Sequence, residues 1–304
     1  MYIFSFANFA SPAPFGGRGK NLFMKIAILA DIHANIVALE AVTDHLERWG
    51  PDIVIVAGDV VNRGPRPAEC LRFVQAKQRG DGWLVIRGNH EDYVISHKTS
   101  PYSGIEAELF QNSRWTYEQL NLDVAALEAW PFSISWQTGA NELRVAHASM
   151  RGNRDGIYVE TDDDTVRQQV GSPPPGVFVV GHTHKPLVRS VDDTLVVNVG
   201  AAGLPFDGDP RACYARIYRQ NGWWRAGLMR LDYDREAVDR DFVDSGFLDS
   251  GGALARLIRV ELRLAHSQIA EWTTAYEAKV RAGNLSIHES VDQFLAEEGI
   301  TGTD

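Results

Sequence analysis

The chain has 304 residues, 44 % hydrophobic and 23 % charged, a globular composition with ample material for a core. The net charge of -10 disfavours a protein that binds long nucleic acids, because such proteins usually present a basic face. No apolar run approaches the length of a membrane span, so we expect no membrane partner, and the two cysteines, Cys70 and Cys213, favour reduced core thiols in a cytoplasmic protein.

Residues 1–23 begin with an apolar stretch and carry Arg18 and Lys20 only after it. A secretory signal has the opposite order, with its positive charge first. We therefore expect either that translation starts at Met24 or that residues 1–23 form a loose tail. A signal peptide is the less favoured alternative.

The segment after Met24 alternates between short apolar runs and helical patterns. Strands are predicted over residues 26–30, 53–57 and 83–86, and helices over 35–49 and 67–78. Continuous apolar runs are typical of strands buried on both faces. The β-α-β-α-β order therefore predicts a parallel arrangement with helices outside.

A second run of β structure follows a helical region over residues 104–130. Strands are predicted near residues 132–137, 143–147, 177–180, 187–190, 194–199, 212–218 and 223–231, the first two joined by a hairpin at 138–141. The expected fold is α/β, a two-sheet β-sandwich flanked by helices in four layers, α/β/β/α.

Beyond residue 235 the sequence becomes helical, and we predict a helical extension over 236–304 behind a domain over 24–235. No proline or glycine occurs between Ala253 and Ala282, and the apolar spacing predicts one long amphipathic helix over 252–281, then a shorter one over 290–298. The apolar face either packs on its own domain or forms a homodimer.

Metal-ligand residue types follow five of the predicted strands. Asp31 and His33 follow the first, Asp59 the second, Asn89 and His90 the third, His147 the strand ending at 146, and His182 and His184 the strand over 177–180. Singly, each aspartate is more often a helix cap and each histidine a core residue. Together, at the carboxyl ends of strands, they predict a cation site, and the absence of cysteine disfavours a cysteine-type zinc site.

These motifs, in this order, resemble the calcineurin-like metallophosphoesterase superfamily over about residues 24–232. The resemblance implies a metallophosphatase-like two-sheet sandwich and two divalent ions, manganese first, with iron, zinc or cobalt as alternatives. It implies that Asp31, His33 and His184 bind one ion, that Asn89, His147 and His182 bind the other, that Asp59 bridges both, and that His90 is catalytic.

The local sequence is similar to small bacterial and archaeal phosphoesterases, with features of the protein phosphatase and diadenosine tetraphosphatase branch. That branch usually has an aspartate where Asn62 stands, so we expect Asn62 to accept a hydrogen bond from His90 without supplying charge, and His90 to be less basic. Arg63 matches the branch's phosphate-binding arginine, and the alternative is a surface arginine.

The function implied is metal-dependent hydrolysis of a small phosphodiester or monoester by a hydroxide shared between the two ions, with a small phosphoester or nucleotide as substrate. The alternative within enzymes is a serine/threonine protein phosphatase or a dinucleoside-polyphosphate phosphatase. The alternative outside enzymes is an interaction scaffold on the same fold.

Overall fold

The structure is a computed structural model that describes residues 24–99, 102–138, 141–220 and 223–300. Our expectation for residues 1–23 lies outside the described residues. Within those ranges, no helix combines the length and the apolar character that crossing a membrane requires.

The strands form two five-stranded sheets. They are β1 (Lys25–Leu29), β2 (Ile53–Val56), β3 (Leu84–Val85), β4 (Ser133–Thr138), β5 (Asn141–Ala146), β6 (Val177–Val180), β7 (Leu187–Val191), β8 (Thr194–Asn198), β9 (Ala212–Gln220) and β10 (Trp223–Leu231). The first sheet has the order β10-β9-β1-β2-β3 and the second the order β4-β5-β6-β8-β7. Strands β1, β2 and β3 are parallel, as are β5, β6 and β8. The carboxyl ends of three strands therefore lie at one edge of each sheet.

Helices lie between and after the strands. They are α1 (Ile36–Trp49), α2 (Pro67–Asp81), α3 (Asn89–Thr99), α4 (Ile105–Leu109), α5 (Gln111–Gln119), α6 (Ala125–Ala129), α7 (Asp163–Gln169), α8 (Arg235–Asp244), α9 (Phe247–Ser250), α10 (Leu254–Leu264), α11 (Gln268–Trp272), α12 (Ala278–Arg281) and α13 (Ile287–Glu297), with a π-helical turn over Thr273–Glu277. The region predicted as helical over 104–130 is thus three short helices.

Successive side chains along a strand point to opposite faces of the sheet, and this alternation separates the layers of the fold. On β1, Ile26 and Ile28 face the second sheet and pack in one buried cluster with Val145 and Val179. Ala27 and Leu29 point the other way and pack with residues of α1 and α2. A further cluster covers the outer face of the second sheet beneath α7. The predicted four-layer α/β/β/α fold is confirmed.

The prediction of one long helix over 252–281 is wrong in one respect, because the helix is interrupted after α10. Ala265 adopts a left-handed φ of 52°, and Ser267 then caps α11 by accepting a hydrogen bond from the Ala270 amide. Ser267 is a helix-start signal inside a region free of glycine and proline. The last helix begins earlier than predicted, at Ile287, because Ser286 and Glu289 form a capping box.

The apolar residues of the C-terminal helices pack within their own chain. Ala255, Ile258 and Leu262 of α10 contact a cluster that includes Trp115 and Phe206. The opposite side of α10 packs with α13 and the segment between them. A homodimer through this segment stays a prediction, as do the domain boundaries at 24–235 and 236–304.

Candidate metal centre

The carboxyl ends of strands from both sheets meet at one place, and the backbone there is unusual. Asp31, His33, Asp59, His182 and His184 all have a positive φ, between 48° and 68°. Residues other than glycine rarely adopt this conformation, which persists where the surrounding structure enforces it and is concentrated at functional sites. These five predicted ligands are therefore held in place by the fold at some conformational cost.

Four buried side chains form the tightest cluster of this centre. One donor atom each from Asp31, His33, Asp59 and His184 lies within 4.8 Å of all the others. The His184 Nε2 atom lies 3.4 Å from Asp31 Oδ1, and His33 Nε2 lies 3.8 Å from Asp59 Oδ2. Two carboxylates and two imidazoles at such distances are the donor set of a divalent cation.

The hydrogen bonds of His33 and His184 turn the Nε2 atoms of both rings towards each other. His33 Nδ1 donates to the Asn62 carbonyl at 3.2 Å, and His184 Nδ1 donates to the Leu204 carbonyl at 2.5 Å. Burial, then the nearby His184 and His90, lower the pKa of His33 well below its ordinary value, so this ring is neutral. The Nε2 atoms of the two rings lie 3.1 Å apart and face the same space, where a cation would bind both.

A second group of polar atoms lies beside the first. Asn89 Oδ1 is 2.9 Å from both His147 Nε2 and His182 Nδ1. His147 Nδ1 donates to the Ala57 carbonyl at 2.8 Å, which leaves its Nε2 facing Asn89 and, at 3.2 Å, Asp59 Oδ2. Burial opposes the charge of His147, but Asp59 outweighs it and raises the pKa of His147 to about 10. A proton satisfies one such contact, whereas a metal ion satisfies several at once.

Each aspartate has one oxygen held by a backbone amide and one that faces the histidine rings. The His182 amide donates to Asp31 Oδ2 and the His90 amide to Asp59 Oδ1, both at 2.9 Å. Asp31 Oδ1 and Asp59 Oδ2 are buried and instead face ring nitrogens, His184 Nε2 at 3.4 Å and His147 Nε2 at 3.2 Å. Buried carboxylate oxygens of this kind are costly unless they bind a cation. The residues present therefore fit divalent metal ions.

Two glycines of the sequence motifs provide space for these carboxylates. A Cβ atom at Gly88 would lie 2.1 Å from Asp59 Oδ1, and one at Gly181 would lie 2.5 Å from Asp31 Oδ2. No side chain fits at either position without displacing a carboxylate. The glycines of the Gly88-Asn89-His90 and Gly181-His182 motifs thus have a steric role in the site.

His90 lies at the edge of the centre with its Nδ1 atom engaged. Asn62 Nδ2 lies 2.9 Å from this nitrogen, and Asn62 Oδ1 accepts from the Thr116 hydroxyl at 3.2 Å. The amide therefore donates to His90, where the sequence led us to expect an acceptor. Burial is the main cause that lowers the pKa of His90 to about 3, and Arg63 acts in the same direction against the attraction of Asp59. The neutral ring carries its proton on Nε2.

Glu91 joins the loop that carries Asp59 to the loop that carries Asn89. Its buried carboxylate accepts from the amides of Asp59 and Gly88 through Oε2, both at 2.8 Å, and from those of Val60 and Val61 through Oε1. Burial, then the charge of Asp59, raise the pKa of Glu91 to about 7, although the amide hydrogen bonds oppose this rise. Glu91 thereby fixes the position of the Asp59 loop relative to Asn89.

Arg63 is neither free nor a surface residue. Its side chain is 12 % exposed, and its NH2 group donates to Glu261 Oε2 at 2.5 Å. Its guanidinium carbon also lies 5.7 Å from the centre of the Phe206 ring, which itself stacks on His184. Glu261 belongs to α10, so a helix from the C-terminal region reaches the edge of the site.

The structure therefore brings the predicted residues together and adds others. Asp31, His33, Asp59, Asn89, His147, His182 and His184 converge, with His90, Asn62 and Arg63 beside them. The sequence analysis missed Glu261 and Phe206 as neighbours of the site. Neither has a local signal, because each approaches from a distant part of the chain.

The comparisons with known proteins agree with this arrangement. Residues 24–222 match the calcineurin-like phosphoesterase superfamily domain. A metallophosphoesterase crystal structure from Sphaerobacter thermophilus has a TM-score of 0.62 and 27 % identity, covering 80 % of this chain and 99 % of that one. Phosphodiesterase YfcE of Escherichia coli (strain K12) is 25 % identical over 62 % of this chain and 84 % of its own length.

A more local match points to another branch. The symmetrical bis(5'-nucleosyl)-tetraphosphatase of Psychromonas ingrahamii is 30 % identical over 86 residues, which are 28 % of this chain and 30 % of that protein. The family match spans well over half of the chain, and it includes every predicted ligand. The chain belongs to the calcineurin-like phosphoesterase superfamily and is a phosphoric ester hydrolase.

Proposed function

We propose that the protein hydrolyses a small phosphoester, a diester in preference to a monoester, at a centre that holds two divalent ions. The observation that carries the proposal is the convergence of buried donor atoms from Asp31, His33, Asp59 and His184, all within 4.8 Å of one another. The Nε2 atoms of His33 and His184, 3.1 Å apart, and the buried carboxylate oxygens beside the histidine rings support it further. Carboxylate and imidazole donors that converge in this way are suited to divalent cations.

In the proposed assignment each ion has its own ligands. Asp31, His33 and His184 bind one ion, Asn89, His147 and His182 bind the other, and Asp59 lies between them. Asp59 Oδ2 supports the bridging role, because it is the atom near both His33 and His147. When bound, the ions supply an activated water and charge neutralisation at the phosphoryl group. Manganese is the first candidate, with iron, zinc and cobalt as alternatives.

His90 is proposed to act on the leaving group. Its Nδ1 atom is engaged by Asn62, so Nε2 is the nitrogen left to meet a substrate. The neutral ring offers an N–H donor to the departing oxygen as negative charge develops there. Groups in such positions typically contribute about 10²–10⁴-fold to the rate.

Arg63 is proposed to bind phosphoryl oxygens while Glu261 holds its guanidinium in place. One NH2 group is committed to Glu261, and the guanidinium has five N–H donors in total, so donors remain for a substrate. The pair is electrically neutral, so Arg63 contributes directed hydrogen bonds more than net charge.

The test joins metal analysis with a substrate panel. Purified protein is analysed for bound metals and assayed with added manganese on aryl monoesters, aryl diesters and phosphopeptides. We expect about two metal ions per chain and the highest turnover on diesters. Asp59→Asn should lose metal and nearly all turnover, while Asp44→Asn, at an exposed position on α1, should match the wild type.

The outcomes separate the candidate functions. Preferred turnover of phosphopeptides would favour the protein phosphatase alternative. Metal-loaded protein without activity on any phosphoester class would contradict the proposal and favour a scaffold. We further propose that the protein acts in the cytoplasm, since both cysteines are buried and unpaired.

A further inference from the structure

The arginines on the segments around the site are nearly all paired. Arg63 is bound to Glu261 at 2.5 Å, Arg87 lies 2.9 Å from Asp92, and Arg151 lies 2.6 Å from Asp155. Arg154 differs, because it is exposed and forms no hydrogen bond or ion pair with any residue in the described ranges. It is thus the arginine of this group whose charge is uncompensated.

Arg154 is placed next to the proposed catalytic histidine. Its guanidinium carbon lies 4.6 Å from the centre of the Tyr93 ring, in a cation-π contact. The Tyr93 ring centre is in turn 5.2 Å from that of His90, in an edge-to-face contact. Arg154 is therefore separated from His90 by a single aromatic ring.

The same loop also touches the other side of the site. A Cβ atom at Gly156, two residues after Arg154, would lie 3.1 Å from the His182 ring. The loop thus lies close to both His182 and His90, the two candidate site histidines that are not fully buried.

Hydrogen bonds fix the loop that carries Arg154. Ser149 Oγ donates to Asp155 Oδ2 at 2.5 Å, and Gln169 Nε2 donates to the Gly156 carbonyl at 3.1 Å. Asn153 Nδ2 donates to Asp92 Oδ2 at 3.2 Å, which ties the loop to α3, the helix that also carries His90 and Tyr93. An arginine on a fixed loop loses less entropy when it binds an anion.

We propose that Arg154 is a specificity-determining residue that binds a phosphate carried by the leaving group. The inference rests on the proposed function, in which His90 marks the leaving-group side of the site. The guanidinium fork matches phosphate oxygens, and Tyr93 orients it. The substrate class is then a nucleotide-like ester or anhydride whose leaving group bears at least one phosphate. In the reaction, water adds to phosphorus and gives up one proton, and the P–O bond to the leaving group breaks with its electron pair going to the leaving oxygen. In an anhydride that oxygen departs as part of a phosphate anion, and in an ester it takes up a proton from His90, which the proton of the water replaces.

The experiment compares two substrates in the metal-loaded, full-length protein. Diadenosine tetraphosphate has a leaving group with phosphates, and bis(p-nitrophenyl) phosphate has one without. Arg154→Gln should lower kcat/KM for diadenosine tetraphosphate by about 10-fold to 100-fold, mainly through KM, because a charge-assisted hydrogen bond is lost. The same variant should change the value for the aryl diester by about threefold or less.

Two further variants control for charge and folding. Arg154→Lys keeps the charge but not the fork, so it should recover part of the lost kcat/KM. Arg240→Gln removes an arginine that is 62 % exposed on α8, and it should match the wild type on both substrates.

Three results would overturn the proposal. One is an equal loss on both substrates with Arg154→Gln, and another is no loss on either. The third is a wild-type protein that cleaves the aryl diester but not diadenosine tetraphosphate, which overturns this inference while the proposed function stands. Metal-loaded protein that cleaves neither substrate contradicts the proposed function itself.

Discussion

Glu261 forms a buried ion pair with Arg63 across 198 positions of sequence, with NH2 and Oε2 2.5 Å apart. The carboxylate is fully buried, and its other oxygen accepts from the Ile269 amide at 3.0 Å and from the Ser267 hydroxyl at 3.2 Å. One side chain thus joins the start of α11 to the edge of the metal centre. The C-terminal helices are therefore part of the environment of the site.

Replacement of Glu261 by alanine should destabilise the protein strongly. It leaves the Arg63 charge nearly buried and unpaired, and loss of one partner of a buried pair typically costs about 3–5 kcal/mol. Urea unfolding would measure the free energy, with Glu236→Ala on the exposed face of α8 as the matched control. Arg63→Ala and the double variant complete a double-mutant cycle. A coupling near zero would show that the ion pair does not connect the two regions.

Asn62→Asp should make His90 a more effective proton donor at higher pH, because more of the ring stays protonated. A carboxylate beside Nδ1 favours the imidazolium and raises the pKa of His90 from about 3, which extends the protonated form to higher pH. We expect the descending limb of the kcat profile to move to higher pH, with about a tenfold gain for alkyl leaving groups and little change for nitrophenyl. Turnover of both substrate types against pH is the measurement. Equal changes for both would argue against a proton donor at His90.

Removal of divalent ions should lower the melting temperature. In the proposed function, cations bind among the carboxylates and ring nitrogens of the centre, and each site at a hundredfold excess over its Kd would contribute roughly 2.7 kcal/mol. Thermal unfolding with a chelator, followed by addition of manganese, measures the loss and the recovery. The Asp59→Asn variant should respond much less. An unchanged wild-type transition would indicate that the cluster does not bind these ions.

Asp239→Asn should weaken the contact between α8 and α10 in a pH-dependent manner. The Asp239 carboxylate meets Arg259 and Arg263 at 2.6 to 3.0 Å, and the hydrogen bonds from Arg259, then those from Arg263, outweigh partial burial and lower the pKa of Asp239 to about 2. The stabilisation is complete above the unfolded pKa of about 3.9 and is lost as pH falls towards the folded value.

For a partly exposed group we expect a loss of about 1 kcal/mol at neutral pH. The difference between variant and wild type should shrink near about pH 3. Urea unfolding at both pH values checks this, with Asp44→Asn as the control. A difference that is constant with pH would assign the loss to packing instead of charge.

The sequence by itself determined the sandwich and the candidate ligands. Apolar runs such as residues 26–30 identify buried strands, and the residues that follow them must lie at the carboxyl edge whatever the side-chain packing. The break at Ala265 was not predicted, because alanine gives no signal of a left-handed conformation. Ser267 is a capping residue and signals a helix start. The helical spacing of the apolar residues on either side of it led us to predict one continuous helix instead.

Only the tertiary structure decided how the neighbours of the metal centre are arranged. Glu261 with Arg63, the amide of Asn62 with His90, and Arg154 on Tyr93 are contacts between segments far apart in sequence. Hydrophobic periodicity fixes which face of an element is buried, but not which polar group on another element meets it. That choice depends on how the helices and loops pack over both sheets, which local pattern does not encode.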